Sequence, residues 1–364
     1  MDGPNARGFH ESFVTPNCPT TDPLYVYIEN GHVPAPASQR HRRANLPNPG
    51  GKWRWDNDEG WMSPGYRFIG VDQLFLGKTL EFLGRHQEDS PEQPFLCVLA
   101  TQVAHAPVLP AEEYTGSTEA GPRGDFVAEL DGIVGRLLAE LEELGIAEET
   151  LVVFHADNGP ETVHTAWMRQ DHDHDAAGGL RGMKRDGWEG GHRVPLIARW
   201  PGRIPAGQVS PQLICTTDLL ATMASLVGHE LAPEDAVDSF DMLPALAGTE
   251  TPIRPHLLTQ SFRGEFQLRV GSWKYLDHPG SGGNNYDNDL LVPYRQPERA
   301  PEAPGQLYEL VQDPGETRNL YLDEPERREQ MQALLSRLKA REGGRTAPLA
   351  RPPRGLQALP ALPR

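Results

Sequence analysis

The chain has 364 residues, 38% of them hydrophobic, enough for one large α/β domain with a smaller companion rather than a string of independent modules. Its 51 acidic residues against 34 basic ones leave a net charge of −17, which excludes binding to nucleic acid through a general basic field. Three cysteines, Cys18, Cys97 and Cys215, are too few and too far apart for a disulfide framework or a zinc cluster, and no run reaches the roughly 20 apolar residues of a membrane span.

Met1-Asp2-Gly3-Pro4-Asn5 has neither the basic n-region nor the apolar h-region of a secretion signal, so at face value the chain reads as soluble and not exported. Residues 1–65 are rich in Pro, Gly, Asn and Arg and read mostly as loop, with one strand-like run at Leu24 to Ile28. From Phe68 to Leu83 the apolar residues recur as on a helix, and Pro94 then introduces Phe95 to Ala100, expected as a buried strand with Cys97 inside it. Phe126, Val127, Leu130, Ile133, Val134, Leu137, Leu138, Leu141 and Leu144 predict an amphipathic helix that ends near Gly145. Leu151 to Phe154 and Pro195 to Trp200 are short and apolar, and read as strands.

Strands alternating with helices predict an α/β fold with a largely parallel sheet flanked by helices. This domain is expected over residues 1–250. Beyond it, strand candidates at Gln267 to Leu276 and Gln306 to Leu310 and a charged helix from Glu324 to Arg341 predict an antiparallel-sheet-plus-helix subdomain over 251–342. The Pro, Arg and Ala-rich stretch at 343–364 reads as a disordered tail.

Phe154-His155-Ala156-Asp157-Asn158-Gly159-Pro160-Glu161-Thr162 places a carboxylate and an amide where a strand ends, the side of an open α/β sheet on which ligands bind. Asp157 and Asn158 offer hard oxygens of the kind Ca²⁺ or Mg²⁺ prefers, although Asp-Asn-Gly by itself also makes ordinary turns. Downstream, the segment Gly178 to Pro195 frames Arg181, Lys184, Trp188 and Glu189 with glycines, a composition unlike a linker and suited to backbone lying close to a ligand. His105, in Gln102-Val103-Ala104-His105-Ala106-Pro107, also follows a strand candidate, where a lone His is more often structural than catalytic. Asp171-His172-Asp173-His174-Asp175 reads as a solvated charge run or a substrate-facing insert before it reads as a metal site.

Taken in order, these segments resemble the sulfatases of the alkaline phosphatase superfamily. The resemblance runs through Gly8-Phe9-His10, the His105-x-Pro107 turn, Glu129-Leu130-Asp131, Asp157-Asn158-Gly159, Gly182-x-Lys184, Trp188-Glu189-Gly190-Gly191-x-Arg193-x-Pro195, Trp200-Pro201-Gly202 and Asp313-Pro314-Gly315-Glu316. It implies an alkaline phosphatase-like fold and hydrolysis of sulfate monoesters of a small molecule or glycan, with no nucleic-acid partner. It further implies Asp157 and Asn158 as ligands of a Ca²⁺ ion, Mg²⁺ being the alternative, and His105 and Lys184 as the catalytic contacts to the sulfate and the leaving alcohol. Such enzymes are often periplasmic, extracellular or lysosomal.

Family members draw their nucleophile, a formylglycine, from a Cys or Ser in Cys/Ser-x-Pro-x-Arg, and the 364 residues contain no such pattern; Cys18-Pro19-Thr20-Thr21-Asp22 has its Pro one place early and no Arg. The sequence therefore carries the expectation of an N-terminally incomplete sulfatase with exposed sheet edges and no turnover of its own. The alternatives are a phosphonate or phosphodiester hydrolase of the same superfamily, or a non-catalytic remnant that binds sulfated glycans.

Overall fold

In the computed structural model, which describes residues 3–46, 51–54, 57–232 and 234–340, the first 65 residues carry more order than their turn-rich composition suggests. They hold five short strands: β1 (Phe13–Val14), β2 (Leu24–Tyr25), β3 (Ile28–Glu29), β4 (Gln39–His41) and β5 (Gly60–Met62). Strand β1 pairs antiparallel with β3, while β5 runs parallel to β2 and antiparallel to β4. The run Leu24 to Ile28, expected as one strand, is thus two strands in two sheets. Tyr25 anchors the first: it is fully buried, its hydroxyl donates to the Asp58 carbonyl at 2.6 Å, and its ring packs edge-on against Phe68.

Two units make up the chain, one of residues 1–150 and 163–176, the other of 151–162 and 177–364. In the first, helix α1 (Val71–Asp89) starts after Gly70, whose left-handed backbone stops the helix from extending back to Phe68. It buries Val71, Phe75, Leu76, Thr79 and Leu83. Helix α2 (Gly121–Glu143) buries Phe126, Ile133 and Leu141 of the predicted stripe together with the acidic Glu129, while Val127 of that stripe is exposed. Its end is a Gly145 cap: Gly145 has φ +70°, and the Ile146 amide reaches back to the Leu141 carbonyl at 3.0 Å. Helix α3 (Thr162–His172) was not expected from the sequence; its Met168 joins Trp53, Val103, Val108 and Phe126 in an apolar cluster.

Phe95 to Ala100 does not form the expected strand. A strand is defined by its ladder, and among the described residues this run has no ladder partner; Leu96 and Val98 are exposed and Cys97 is only half-buried.

The second unit opens with β6 (Val152–His155), continues through the short helix α4 (Glu189–His192) and pairs β6 antiparallel with β7 (Leu196–Arg199). Helices α5 (Leu219–Leu226) and α6 (Leu243–Leu246) follow. A four-stranded antiparallel sheet is then built from β8 (Leu257–Gln260), β9 (Phe266–Val270), β10 (Trp273–Leu276) and β11 (Gln306–Glu309), in the order β11-β10-β9-β8. The single strand expected over Gln267 to Leu276 is a hairpin, because Gly271 takes φ +57° and turns the chain in two residues between Val270 and Trp273. Helix α7 (Pro325–Lys339) lays Met331, Leu335 and Leu338 on Leu268, Tyr275 and Leu307 of this sheet. Helices with mixed sheets make an α/β fold, but the largely parallel sheet expected is not seen among the described residues: β2 with β5 is their parallel pair, and the other ladders, β6 with β7 included, are antiparallel. The tail at 343–364 lies outside the described residues.

Candidate functional site

Strand β6 ends at His155, and the chain turns at once through Asp157, Asn158 and Gly159. Asp157 is exposed; one of its carboxylate oxygens accepts the Asn158 amide at 2.8 Å, which leaves the other oxygen to solvent. The Asn158 side-chain NH₂ donates to the Gly159 carbonyl at 3.0 Å, which leaves its Oδ1 as the available ligand atom. These are two oxygens of the six to eight that Ca²⁺ takes. Among the described residues no group of three or more His, Cys, Asp or Glu is arranged to hold a metal ion.

The loop that carries Lys184 is tied to this turn by backbone hydrogen bonds. Gly159 N–H donates to the Gly191 carbonyl at 2.9 Å and Lys184 N–H to the Pro160 carbonyl at 3.0 Å. The approach is close enough that a Cβ on Gly159 would lie 1.8 Å from the Gly190 carbonyl oxygen. Three of the four residues singled out in the sequence, Asp157, Asn158 and Lys184, are therefore brought together in the second unit. Lys184 is half-buried, and its ammonium makes no hydrogen bond among the described residues.

His105 lies in the first unit, on a tight turn in which its amide donates to the Gln102 carbonyl at 2.7 Å and its Nδ1 meets the Ala106 carbonyl at 2.8 Å. The turn hangs from α1, where the buried Asp72 accepts the amides of Gln102 and Val103 at 2.7 and 3.0 Å. Burial pushes the Asp72 carboxyl up to about 6 against those two amides. Cys18, not singled out as reactive from the sequence, brings its sulfur to 3.9 Å from His105 Nδ1. Burial opposes ionisation of this thiol, but hydrogen bonds from His105, Thr21 and Thr20 outweigh it and bring the thiol down to about 7. In the charge run, Asp171, in the last turn of α3, pairs with Lys52 at 2.5 Å.

A family model described as Sulfatase matches residues 39–229. The chain belongs to the sulfatase family. It is 27% identical to an N-acetylgalactosamine-6-O-sulfatase of Bacteroides thetaiotaomicron over 93% of this chain and 70% of that one. It is 36% identical to arylsulfatase A of Homo sapiens over 63% of this chain, and it spans 45% of that relative's length. A solved structure from work on the metabolism of multiple glycosaminoglycans by Bacteroides thetaiotaomicron superposes with a TM-score of 0.75 at 26% identity, over 93% of this chain and 74% of that one.

Two features of this sulfatase chain escaped the reading of its sequence. Glu161 and Arg185 form a two-pronged ion pair with both N–O distances at 2.8 Å. Burial works against the Glu161 charge, yet the Arg185 guanidinium and the Thr162 hydroxyl hold its carboxyl down at about 2. Beneath the glycine-framed loop, Lys274 is 1% exposed and reaches Glu189 Oε1 at 2.9 Å and His192 Nε2 at 3.1 Å. Glu316 Oε1 lies 3.1 Å from the same ammonium, outside hydrogen-bond geometry, while its Oε2 accepts the Glu189 amide at 2.6 Å. Burial is countered at Glu189 by Lys274, which keeps that carboxyl at about 2, but prevails at Glu316, raised to about 6. Glu161, Arg185, Glu189, His192 and Glu316 stand within segments singled out in the sequence and Lys274 within a strand candidate, but no spacing says that Lys274 and Glu316 meet Glu189.

Proposed function

We propose that this sulfatase hydrolyses sulfate monoesters of a sulfated glycan, with one divalent cation, Ca²⁺ or Mg²⁺, bound at Asp157 and Asn158. The observation that supports the reading is the joining of the Asp157-Asn158 turn to the Lys184 loop, so that two candidate oxygen ligands and an ammonium that makes no hydrogen bond among the described residues belong to one corner of one unit. With a net charge of −17 the molecule offers a sulfate no general attraction, and binding must rest on local positive charge. Bound there, a divalent cation supplies charge neutralisation on the sulfate oxygens. Lys184 adds a second positive group toward the same anion, stabilising charge that grows as the ester bond breaks. His105 is assigned the proton transfer to the leaving alcohol, the task for which imidazole is best matched near neutral pH. An amide rather than an imidazole beside Asp157 favours a hard cation over zinc.

The names of the relatives suggest where to begin: N-acetylgalactosamine bearing a 6-O-sulfate is the first sugar to test. Calorimetric titration of the protein with this sugar, its unsulfated form and its 6-phosphate, each with calcium or with chelator, tests the reading. Binding that needs both sulfate and calcium, with the 6-phosphate bound more weakly, is the expected result. Equal binding of the unsulfated sugar, or a preference for phosphate, sinks it.

A further inference from the structure

Glu161 follows directly on Pro160, whose carbonyl accepts the Lys184 amide, so its carboxylate lies within electrostatic reach of the Lys184 ammonium. A carboxylate beside an uncommitted ammonium will pair with it unless something else takes its oxygens. Here both oxygens are taken. Arg185 Nη1 meets Oε1 and Nη2 meets Oε2, each at 2.8 Å, and Oε1 also accepts the Thr162 amide and hydroxyl at 2.9 Å. A planar guanidinium that engages both oxygens outcompetes a single ammonium for the same carboxylate.

Arg185 reaches this position from an unusual backbone. Its φ is +88°, a region disfavoured for any residue with a Cβ, and its neighbours hold it there. The Arg185 carbonyl accepts the Phe262 amide at 3.0 Å, and the Asp186 carboxylate accepts the Met183 and Asn284 amides at 2.9 Å and the Tyr286 hydroxyl at 2.6 Å. The loop is fastened so that Arg185 faces Glu161 and the adjacent Lys184 does not pair with it.

We propose that Arg185 is a positioning residue that occupies the Glu161 carboxylate, so that the Lys184 ammonium stays unpaired and available to an anionic group of the substrate. This rests on the reading that Lys184 contacts the sulfate. Without Arg185, Glu161 turns to Lys184 and cancels the charge the anion would use. Removing Glu161 as well frees Lys184 again, an outcome that a merely structural role for Arg185 does not produce.

The experiment follows the acylation rate of Lys184 by an amine-selective reagent, read by mass spectrometry, and the affinity for inorganic sulfate. Both are measured in the parent protein, Arg185→Met, Glu161→Gln and the double variant, with a thermal melt of each. Arg185→Met is expected to slow Lys184 acylation and to weaken sulfate by roughly fivefold, the scale of a partly exposed ion pair, and the double variant to restore both. If Arg185→Met does not melt cooperatively, Arg185→Gln replaces it, keeping a polar group toward Glu161 without the charge. Unchanged acylation in the single variant, or no recovery in the double one, overturns the proposal. Acylation that responds as expected while sulfate binds no variant upholds the Arg185 role and removes Lys184 from the sulfate site instead.

Discussion

Glu161 shows how far one carboxylate can be taken from its ordinary chemistry by what surrounds it. Its folded pKa of about 2 lies below the ordinary 4.5, so the unfolded chain binds the proton more readily. The stability this group contributes is therefore fully present above pH 4.5 and is lost as pH falls from there toward 2. Urea midpoints taken from pH 7 down to 3 should show the parent losing its advantage over Glu161→Gln as the pH drops; a constant gap would mean that the ion pair with Arg185 does not control this titration. Neither partner was legible beforehand as one of a pair. Pro160-Glu161 and Lys184-Arg185 are far apart in sequence, and backbone hydrogen bonds such as that of the Lys184 amide to the Pro160 carbonyl bring them face to face. Asp157, Asn158 and Lys184, by contrast, were legible, because each sits in a short motif whose residue types match an anion and a hard cation.

At the scale of elements, the joint between the strand-end turn and the glycine-framed loop is where backbone geometry decides most. Gly159 is required there for closeness, since a methyl group would sit 1.8 Å from the Gly190 carbonyl oxygen. Gly159→Ala is expected to force the two loops apart and to cost roughly 1–3 kcal/mol in urea unfolding. A variant that melts like the parent would show that the loops can separate freely. Helices α1 and α2 could be read from periodicity because each buries one stripe of a regular spiral, and the end of α2 was marked by Gly145. Phe95 to Ala100 misled because an apolar run reports burial propensity, not a partner, and a strand needs a partner for its backbone groups. The hairpin at Gly271 and helix α3 were missed for a related reason: a two-residue turn leaves little trace in a strand-like run, and the polar residues of α3 hide its helical period.

For the whole molecule, a bound cation should act as a ligand of the folded state. Calcium at a hundredfold its dissociation constant is expected to raise the unfolding free energy by about 2.7 kcal/mol, and Asp157→Ala to abolish that increment. Thermal melts with calcium and with chelator measure it; stabilisation that survives in Asp157→Ala would place the ion elsewhere. The sequence by itself determined the α/β class and the sulfatase family, and it offered three residues of the candidate site, because hydrophobic period and short motifs are local properties that survive without coordinates. Only the tertiary structure decided which strands pair, that Lys274 gathers Glu189, His192 and Glu316 in the interior, and that Arg185 takes the carboxylate beside Lys184. Those contacts join residues 24 to 127 positions apart, for instance Glu161 with Arg185 and Glu189 with Glu316, and chain folding, not spacing, brings such pairs within hydrogen-bonding distance.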